Sequence, residues 1–210
     1  MAKKKTKPAK AKKALKSQRT STAKLARKSP KVNMTRFAAT KGAAASRHAW
    51  CMSQRSEVAQ RSLRTAIGLL RITADNRGVV AVERVSKSVV VAGSTKANQH
   101  AEKAVRELRE YFAGKRRRFT VKLHLEGTDF QRRAWAAMRQ IHYGTTITYA
   151  QQARRVGAPR ATRAVGSANG ANPVPIIVPC HRVTDSDGSL GGYALGLAMK
   201  RRLLALEQEG

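Results

Sequence analysis

The segment Ile176-Ile177-Val178-Pro179-Cys180-His181-Arg182-Val183 ends an apolar extended run with a cysteine beside a histidine and an arginine. A thiol attacks as its thiolate, and cationic neighbours lower a thiol pKa, so this grouping suits a nucleophilic cysteine with a base at hand. Pro179 fixes the backbone just before the thiol. The plainer reading is a small core residue that happens to neighbour a histidine, because free cysteines are among the most buried residues. The dipeptide alone leaves both readings open. The chain has 2 cysteines, Cys51 and Cys180, so no disulfide framework is expected and a reducing compartment fits. His48-x-x-Cys51 has the form of half a metal site, but no second Cys or His pair at ligand spacing accompanies it, and no metal is expected.

The elements that must position Cys180 divide into two textures. Ile67 to Thr73 alternates weakly, Asp75-Asn76-Arg77-Gly78 is a turn signal, and Val79 to Val85 returns as a second strand, with Val89-Val90-Val91 as a candidate third. Ala101, Ala104, Val105, Leu108, Tyr111 and Phe112 fall at helical spacing and stop at Gly114. A basic run, Lys115-Arg116-Arg117-Arg118, and an extended stretch, Phe119 to Leu125, complete this α/β portion. From Thr128 the pattern is helical. Thr128-x-x-Gln131 and Thr148-x-x-Gln151 are capping boxes. Phe130, Ala134, Ala137, Met138 and Ile141 share one face of the first helix. Gly157 ends the second, and Pro159 is placed for the first turn of a third that runs to about Asn169. Helix, glycine turn, helix is the spacing of a helix-turn-helix, and Arg154, Arg155, Arg160 and Arg163 occur there without an acidic residue. Arg154 and Arg155 also read as solvated side chains, and His142 as a surface residue. A last helix is expected from about Leu197 to Glu209.

The balance of charge points to a polyanionic partner. The 210 residues carry 43 Lys+Arg against 12 Asp+Glu, a formal charge of +31. Residues 1–45 hold 12 Lys and 3 Arg and no acid, so the excess is shared between tail and body. The stretch 1–56 has too few large apolar side chains to offset its ordering entropy and is expected to be disordered. It reads as a nucleic-acid-binding or nuclear-targeting arm, with a solvating tail or a transit peptide as alternatives. No run is apolar for the roughly 18 residues that would cross a bilayer, so no membrane partner is expected.

The wider segment Asn172-Pro173-Val174-Pro175 through Val183 resembles the active-site signature of the methylated-DNA-protein-cysteine methyltransferases, also called alkylguanine-DNA alkyltransferases. Gly127-Thr128-Asp129-Phe130-Gln131-Arg132-Arg133-Ala134-Trp135, Tyr143-Gly144, Thr148-Tyr149 and Arg163-Ala164-Val165-Gly166 are similar to that family's helical and DNA-reading elements, in order. Gly188, Gly192-Tyr193 and Lys200 through Glu207 resemble its substrate loop and closing helix. Gly68 to Val82 and Glu110-Tyr111-Phe112-Ala113-Gly114 resemble its first domain. The resemblance covers about 64 to 210. It implies an α/β fold class: a small N-terminal α/β (ribonuclease-H-like) domain over 57–126, then a mostly helical winged helix-turn-helix domain over 127–210 that carries the active-site cysteine.

The implied activity is irreversible, stoichiometric transfer of an alkyl group from oxygen-6 of guanine to Cys180, with no cofactor; alkylthymine as a second substrate is left open. The resemblance also implies roles. His181, through a water, and Glu207 take the cysteine proton, and Tyr149 hydrogen-bonds ring nitrogen 3 of the departing base. The carbonyls of Cys180 and Val183 read the exocyclic amine, the Ala194 amide faces oxygen-6, Tyr193 lines the base pocket and Asn172 braces the turn. An alkyl group on a stacked base is out of line for attack, so base flipping is required. Arg163 matches the arginine that fills the vacated place. Thr162, Ala164 and Gly166 are small enough for a helix pressed into a minor groove. Arg160 and Ser186 are candidate phosphate contacts. The partner implied is double-stranded DNA containing alkylated bases, the expected state a monomer, and the expected location a nucleus in a eukaryote or a nucleoid-bearing cytoplasm otherwise. A non-enzymatic lesion sensor, which would lack the nucleophile, and a histone-like chromatin binder, which would explain only residues 1–56, are the alternatives.

Overall fold

A computed structural model of the chain describes residues 57–209. The basic arm 1–56, with His48-x-x-Cys51 and Trp50, lies outside the described residues. The first element is a strand the sequence did not announce, β1 (Ala59–Thr65), which pairs antiparallel with β2 (Gly68–Ala74) from Ala59↔Ala74 to Thr65↔Gly68. In β1 only Ala59 and Leu63 are buried, so its apolar signal is too sparse to register as alternation. β3 (Val79–Val85) pairs antiparallel with β2 and completes a sheet of order β1-β2-β3. The expected turn joins them: Asp75 Oδ1 accepts the amides of Arg77 at 2.8 Å and Gly78 at 2.9 Å. Position 78 must be glycine, because a Cβ there would lie 2.7 Å from the carbonyl oxygen of Lys122.

Two expected strands are reduced to single bridges. Val91 meets Gln60 of β1 rather than β3, and Leu123 meets Val79 in parallel. Strong local apolarity at Val89–Val91 does not suffice when no second register pair follows; Val90 remains 72% exposed.

One face of the sheet is covered by α1 (Thr95–Phe112), which Ser94 caps through the amide of Ala97. Leu70, Ile72 and Ala74, alternating along β2, pack with Ala97, Ala101, Ala104, Leu108 and Tyr111 of the helix. Glu107 is buried on the same helix face. It accepts hydrogen bonds from Thr120 Oγ1 at 2.6 Å and from the amides of Thr120 and Val121 at 2.8 and 3.1 Å, which ties the extended stretch to α1.

Both capping boxes form, at the starts of α2 (Asp129–Arg139) and α3 (Tyr149–Arg155). The next helix, α4 (Thr162–Gly170), begins later than the expected first turn at Pro159: Pro159 lies in the preceding turn, and Ala161 occupies the N-cap without a side-chain bond. The crossing of these helices is fixed by buried polar groups. Gln152 of α3 and Asn169 of α4 exchange hydrogen bonds of 3.0 and 2.7 Å, Gln152 Nε2 also donates to the Ala134 carbonyl, and Trp135 Nε1 donates to the Ala168 carbonyl at 2.8 Å. The final helix, α5 (Leu197–Glu209), has the expected bounds.

The two halves share one apolar core that runs from Leu70 and Leu108 to Val178, Val183 and Leu203. The Val82 amide of β3 donates to the Pro173 carbonyl at 2.9 Å, and Arg202 reaches the Ala66 carbonyl. No described helix is long and apolar enough to cross a membrane.

The reciprocal amide pair yields a stability prediction. Gln152→Leu strands the buried Asn169 carboxamide and should lower unfolding free energy by about 2 kcal/mol, measured by urea denaturation, whereas adding Asn169→Leu should recover part of that loss. Equal or greater loss in the double variant would show that the pair does not act as a unit.

Candidate active site

Two short strands place Cys180. β4 (Ile147–Thr148) runs parallel to β5 (Val183–Thr184), with Ile147 opposite Val183. The end of β4 is the N-cap of α3, whose first residue is Tyr149, and β5 begins directly after the 3-10 turn Cys180–Arg182. One pairing therefore brings the phenol of Tyr149 and the thiol of Cys180 to the same cleft. That cleft, of about 1280 Å³, is lined on one side by Arg160, Thr162, Arg163, Ala164, Gly166 and Ser167 and on the other by Cys180, Asp185, Tyr193 and Ala194, with Tyr149 between. Thr162, Arg163 and Ala164 are exposed, while Val165, Ala168 and Asn169 turn inward.

Cys180 sits at the floor, 4% exposed. Asn172 lies behind it: Nδ2 donates to the thiol sulfur at 3.2 Å and to the Val178 carbonyl at 2.8 Å, and Oδ1 accepts the Val174 amide. These bonds hold the chain where Ile176 takes a positive φ of 78°, a conformation that costs a β-branched residue about 1–3 kcal/mol. The thiol pKa departs from the sequence expectation. Burial pushes it up, and the bond from Asn172, the nearby amides and the charge of Lys200 offset this only in part. Arg182, expected to favour the thiolate, is directed elsewhere.

Its guanidinium grips Glu207 through Nε at 2.9 Å and Nη2 at 2.8 Å, and also donates to the Ile141 carbonyl. His181 Nε2 lies 2.8 Å from Glu207 Oε1, the Tyr111 hydroxyl donates to the same oxygen at 2.7 Å, and the Gly144 amide donates to Oε2 at 3.1 Å. Burial alone would raise the Glu207 pKa, but the hydrogen bonds from His181, Arg182 and Tyr111, joined at acid pH by the charge of a protonated His181, outweigh it and hold the pKa at about 2. The His181 pKa is lowered, with burial outweighing the pull of Glu207. A neutral imidazole facing a carboxylate through Nε2 must carry its proton there, which leaves Nδ1 as the basic nitrogen. Nδ1 is buried and has no hydrogen-bond partner among the described residues.

Tyr149 is half-buried, and burial, then the charges of Asp185 and Cys180, raise its pKa, so the phenol remains a donor. Gly191 allows this placement: at φ of 60°, a Cβ would lie 2.6 Å from Asp185 Oδ2 and 3.0 Å from the Tyr149 ring. Tyr193 lines the cleft, and its hydroxyl, buried, has no partner among the described residues. The Val183 side chain is fully buried, so only its backbone is suited to recognition. Its carbonyl accepts Lys200 Nζ at 2.5 Å and that of Cys180 accepts the Val183 amide; each oxygen retains a second lone pair. Ser186 is exposed in the loop after β5, outside the residues lining the cleft.

Sequence reasoning missed three residues that this geometry brings in. Lys200, fully buried, donates to the carbonyls of Val183 and Leu190 and so ties the loop above the cleft to β5. Asp185 lines the cleft, and Tyr111 joins Glu207 from the other half of the fold. Lys200 has a sequence signal, as the one lysine among the apolar positions at the start of α5. The other two have none.

Comparison with known proteins agrees with both halves. Residues 59–125 match the ribonuclease-like domain of 6-O-methylguanine DNA methyltransferase, and residues 129–209 match its DNA binding domain. The chain belongs to the 6-O-methylguanine DNA methyltransferase family. A methylated-DNA–protein-cysteine methyltransferase of Methanosarcina acetivorans is 45% identical over 144 residues, 67% of this chain and 92% of that protein. One of Mycobacterium tuberculosis is 54% identical over 105 residues, 50% of this chain and 64% of its own length. The crystal structure of Mycobacterium tuberculosis OGT in complex with DNA superposes with a TM-score of 0.64 at 40% identity, covering 71% of this chain and 92% of that one. The fold class expected from the sequence, a ribonuclease-like α/β half followed by a helical DNA-binding half, is that of the family.

The buried carboxylate makes stability pH-dependent. The Glu207 pKa is held below its ordinary value of 4.5, at about 2, so the ionised group contributes about 3 kcal/mol above pH 4.5, lost as pH falls towards 2. The His181 pKa is also lowered, so stability begins to fall below its ordinary value of 6.5. Urea unfolding from pH 8 to 3 should show both declines, and Glu207→Gln should flatten the part below pH 5. A wild-type stability constant from pH 7 to 4 would contradict this sign.

Proposed function

We propose that the chain repairs alkylated guanine in double-stranded DNA by moving the alkyl group to Cys180, once per molecule. The observation that carries this reading is the position of Cys180, at the floor of the cleft beneath the exposed face of α4, with Asn172 and the His181–Glu207 pair behind it. A lesion sensor without chemistry would have no use for that nucleophile and base. The reading divides the described chain near residue 127, between the two stretches that match the family's domains. Every residue it uses lies on one chain, so a monomer suffices.

The chemistry follows from the two protonation states. A thiol with a raised pKa needs a base, and a neutral His181 offers Nδ1. In the proposed step, His181 takes the thiol proton through a water, with Glu207 stabilising the imidazolium that forms. The sulfur bonds to the alkyl carbon in line, the carbon to oxygen-6 bond breaks, and its electron pair passes into the purine. Tyr149 donates to ring nitrogen 3 and supports that charge, the Ala194 amide faces oxygen-6, and the carbonyls of Cys180 and Val183 take the exocyclic amine. Tyr193 bounds the base. A cysteine thioether is a poor leaving group, so the protein is consumed.

The base must leave the stack to reach this floor. Arg163 projects from the exposed face of α4 and is assigned the vacated place, with Thr162 and Ala164 against the minor groove and Arg160 and Ser186 on the phosphates. The small side chains read no base edges, which suits a protein that meets its lesion in any sequence.

Incubation with duplex DNA carrying a labelled methyl on guanine oxygen-6 tests the reading. One label per protein is expected, with none on Cys180→Ala; label absent from the wild type, or surviving in the variant, refutes it. Arg163→Ala should slow transfer from duplex about tenfold or more while leaving reaction with the free alkylated base unchanged, because only the former pays for unstacking. Equal slowing of both substrates would remove Arg163 from the flipping step.

A further inference from the structure

The donor on Glu207 that comes from outside the DNA-binding half is Tyr111. It stands one residue before the end of α1, 96 residues from its partner in sequence, and is fully buried. Its ring is held by Phe112, Phe119 and Tyr143, at centroid distances of 5.3, 5.5 and 6.0 Å. The hydroxyl therefore has one direction to point. It meets Oε1, the oxygen that His181 Nε2 also faces. Arg182 Nη2 approaches the same atom, whereas the Gly144 amide takes Oε2.

We propose that Tyr111 is a positioning residue of the transfer reaction: its phenol shares Oε1 with His181 and so sets how strongly Glu207 holds a proton on the imidazole. This rests on the reading of Cys180 as nucleophile and His181 as its base. An unshared Oε1 would concentrate its negative charge on the Nε2 proton and make the imidazole a stronger base. A phenol hydrogen bond disperses that charge, so His181 remains neutral, and able to accept the thiol proton, at lower pH. Besides Tyr111, the ionisable groups around the pair are Arg182 and Cys180 in the 3-10 turn, Lys200 on α5, Tyr143 before β4, and Tyr193 on the cleft side. Burial and the charge of Glu207 raise the pKa of Tyr111, which keeps it a donor throughout the working range. The first half of the fold thus supplies a part of the relay itself as well as its scaffold.

The test is the pH profile of single-turnover transfer from saturating duplex DNA by the full chain. In Tyr111→Phe, the acid limb, where His181 takes up a proton, should move to higher pH by about 0.5, a threefold change in proton affinity. With 3-fluorotyrosine at position 111 alone, a stronger donor in unchanged packing, the limb should move to lower pH. An acid limb that coincides with the wild type in the fluorotyrosine protein overturns the proposal, as does a slower plateau with an unmoved limb in Tyr111→Phe, which reports packing alone. If the wild type transfers no alkyl group, the underlying reading fails first, and the two failures are distinguished.

Discussion

An ionised carboxylate in the interior is tolerable only when its lone pairs are taken up, and Glu207 has them taken up by side chains from two elements and an amide from a third segment. Arg182 brings the compensating charge, His181 and Tyr111 bring donors to Oε1, and Gly144 brings its amide to Oε2. Each of those groups is thereby fixed in turn. Arg182 cannot turn towards the thiol, the imidazole has one orientation, and α1 is pinned to α5 across the two halves of the fold. Removing a partner from such a buried pair costs about 3–5 kcal/mol, because the remaining charge is stranded.

That arrangement determines how the cysteine is used. A thiolate stabilised by a neighbouring cation stands ready but is exposed to other electrophiles. Here burial raises the thiol pKa, and in the proposed step its proton leaves towards a base whose other nitrogen is already committed. The reactive species forms when an alkyl carbon is in line above the sulfur, which suits a protein that can react once. The cleft around it follows the same division. In the proposed reading the groups that meet DNA stand on the exposed face of α4, while those that move the proton, His181 and Glu207, are buried beneath the floor.

What the sequence disclosed was what local patterns encode. Capping boxes at Thr128 and Thr148, the bounds of α5, the turn at Asp75–Gly78 and the Cys180-His181 dipeptide are short-range signals, and each appears where expected. β1 went unseen because its pairing with β2, rather than its own apolarity, makes it a strand. The fixed φ of Pro159 suits a first helical turn, yet the chain uses those residues to turn. The thiol pKa moves opposite to the sequence expectation for a related reason: a sequence shows that Arg182 is adjacent, but not that Glu207, 25 residues on, has claimed it. Tyr111 reads as one more apolar position on an amphipathic helix. Its hydroxyl acquires a role only when Glu207, 96 residues on, has folded back against it.

Proton transfer from Cys180 as proposed requires one protonation state of His181, which nitrogen-15 resonances of its ring report directly. At pH 7 in the free protein they should show a neutral imidazole with its proton on Nε2, coupled to the Glu207 carboxylate, and an unprotonated Nδ1. An imidazolium, or a neutral ring protonated on Nδ1, would contradict it.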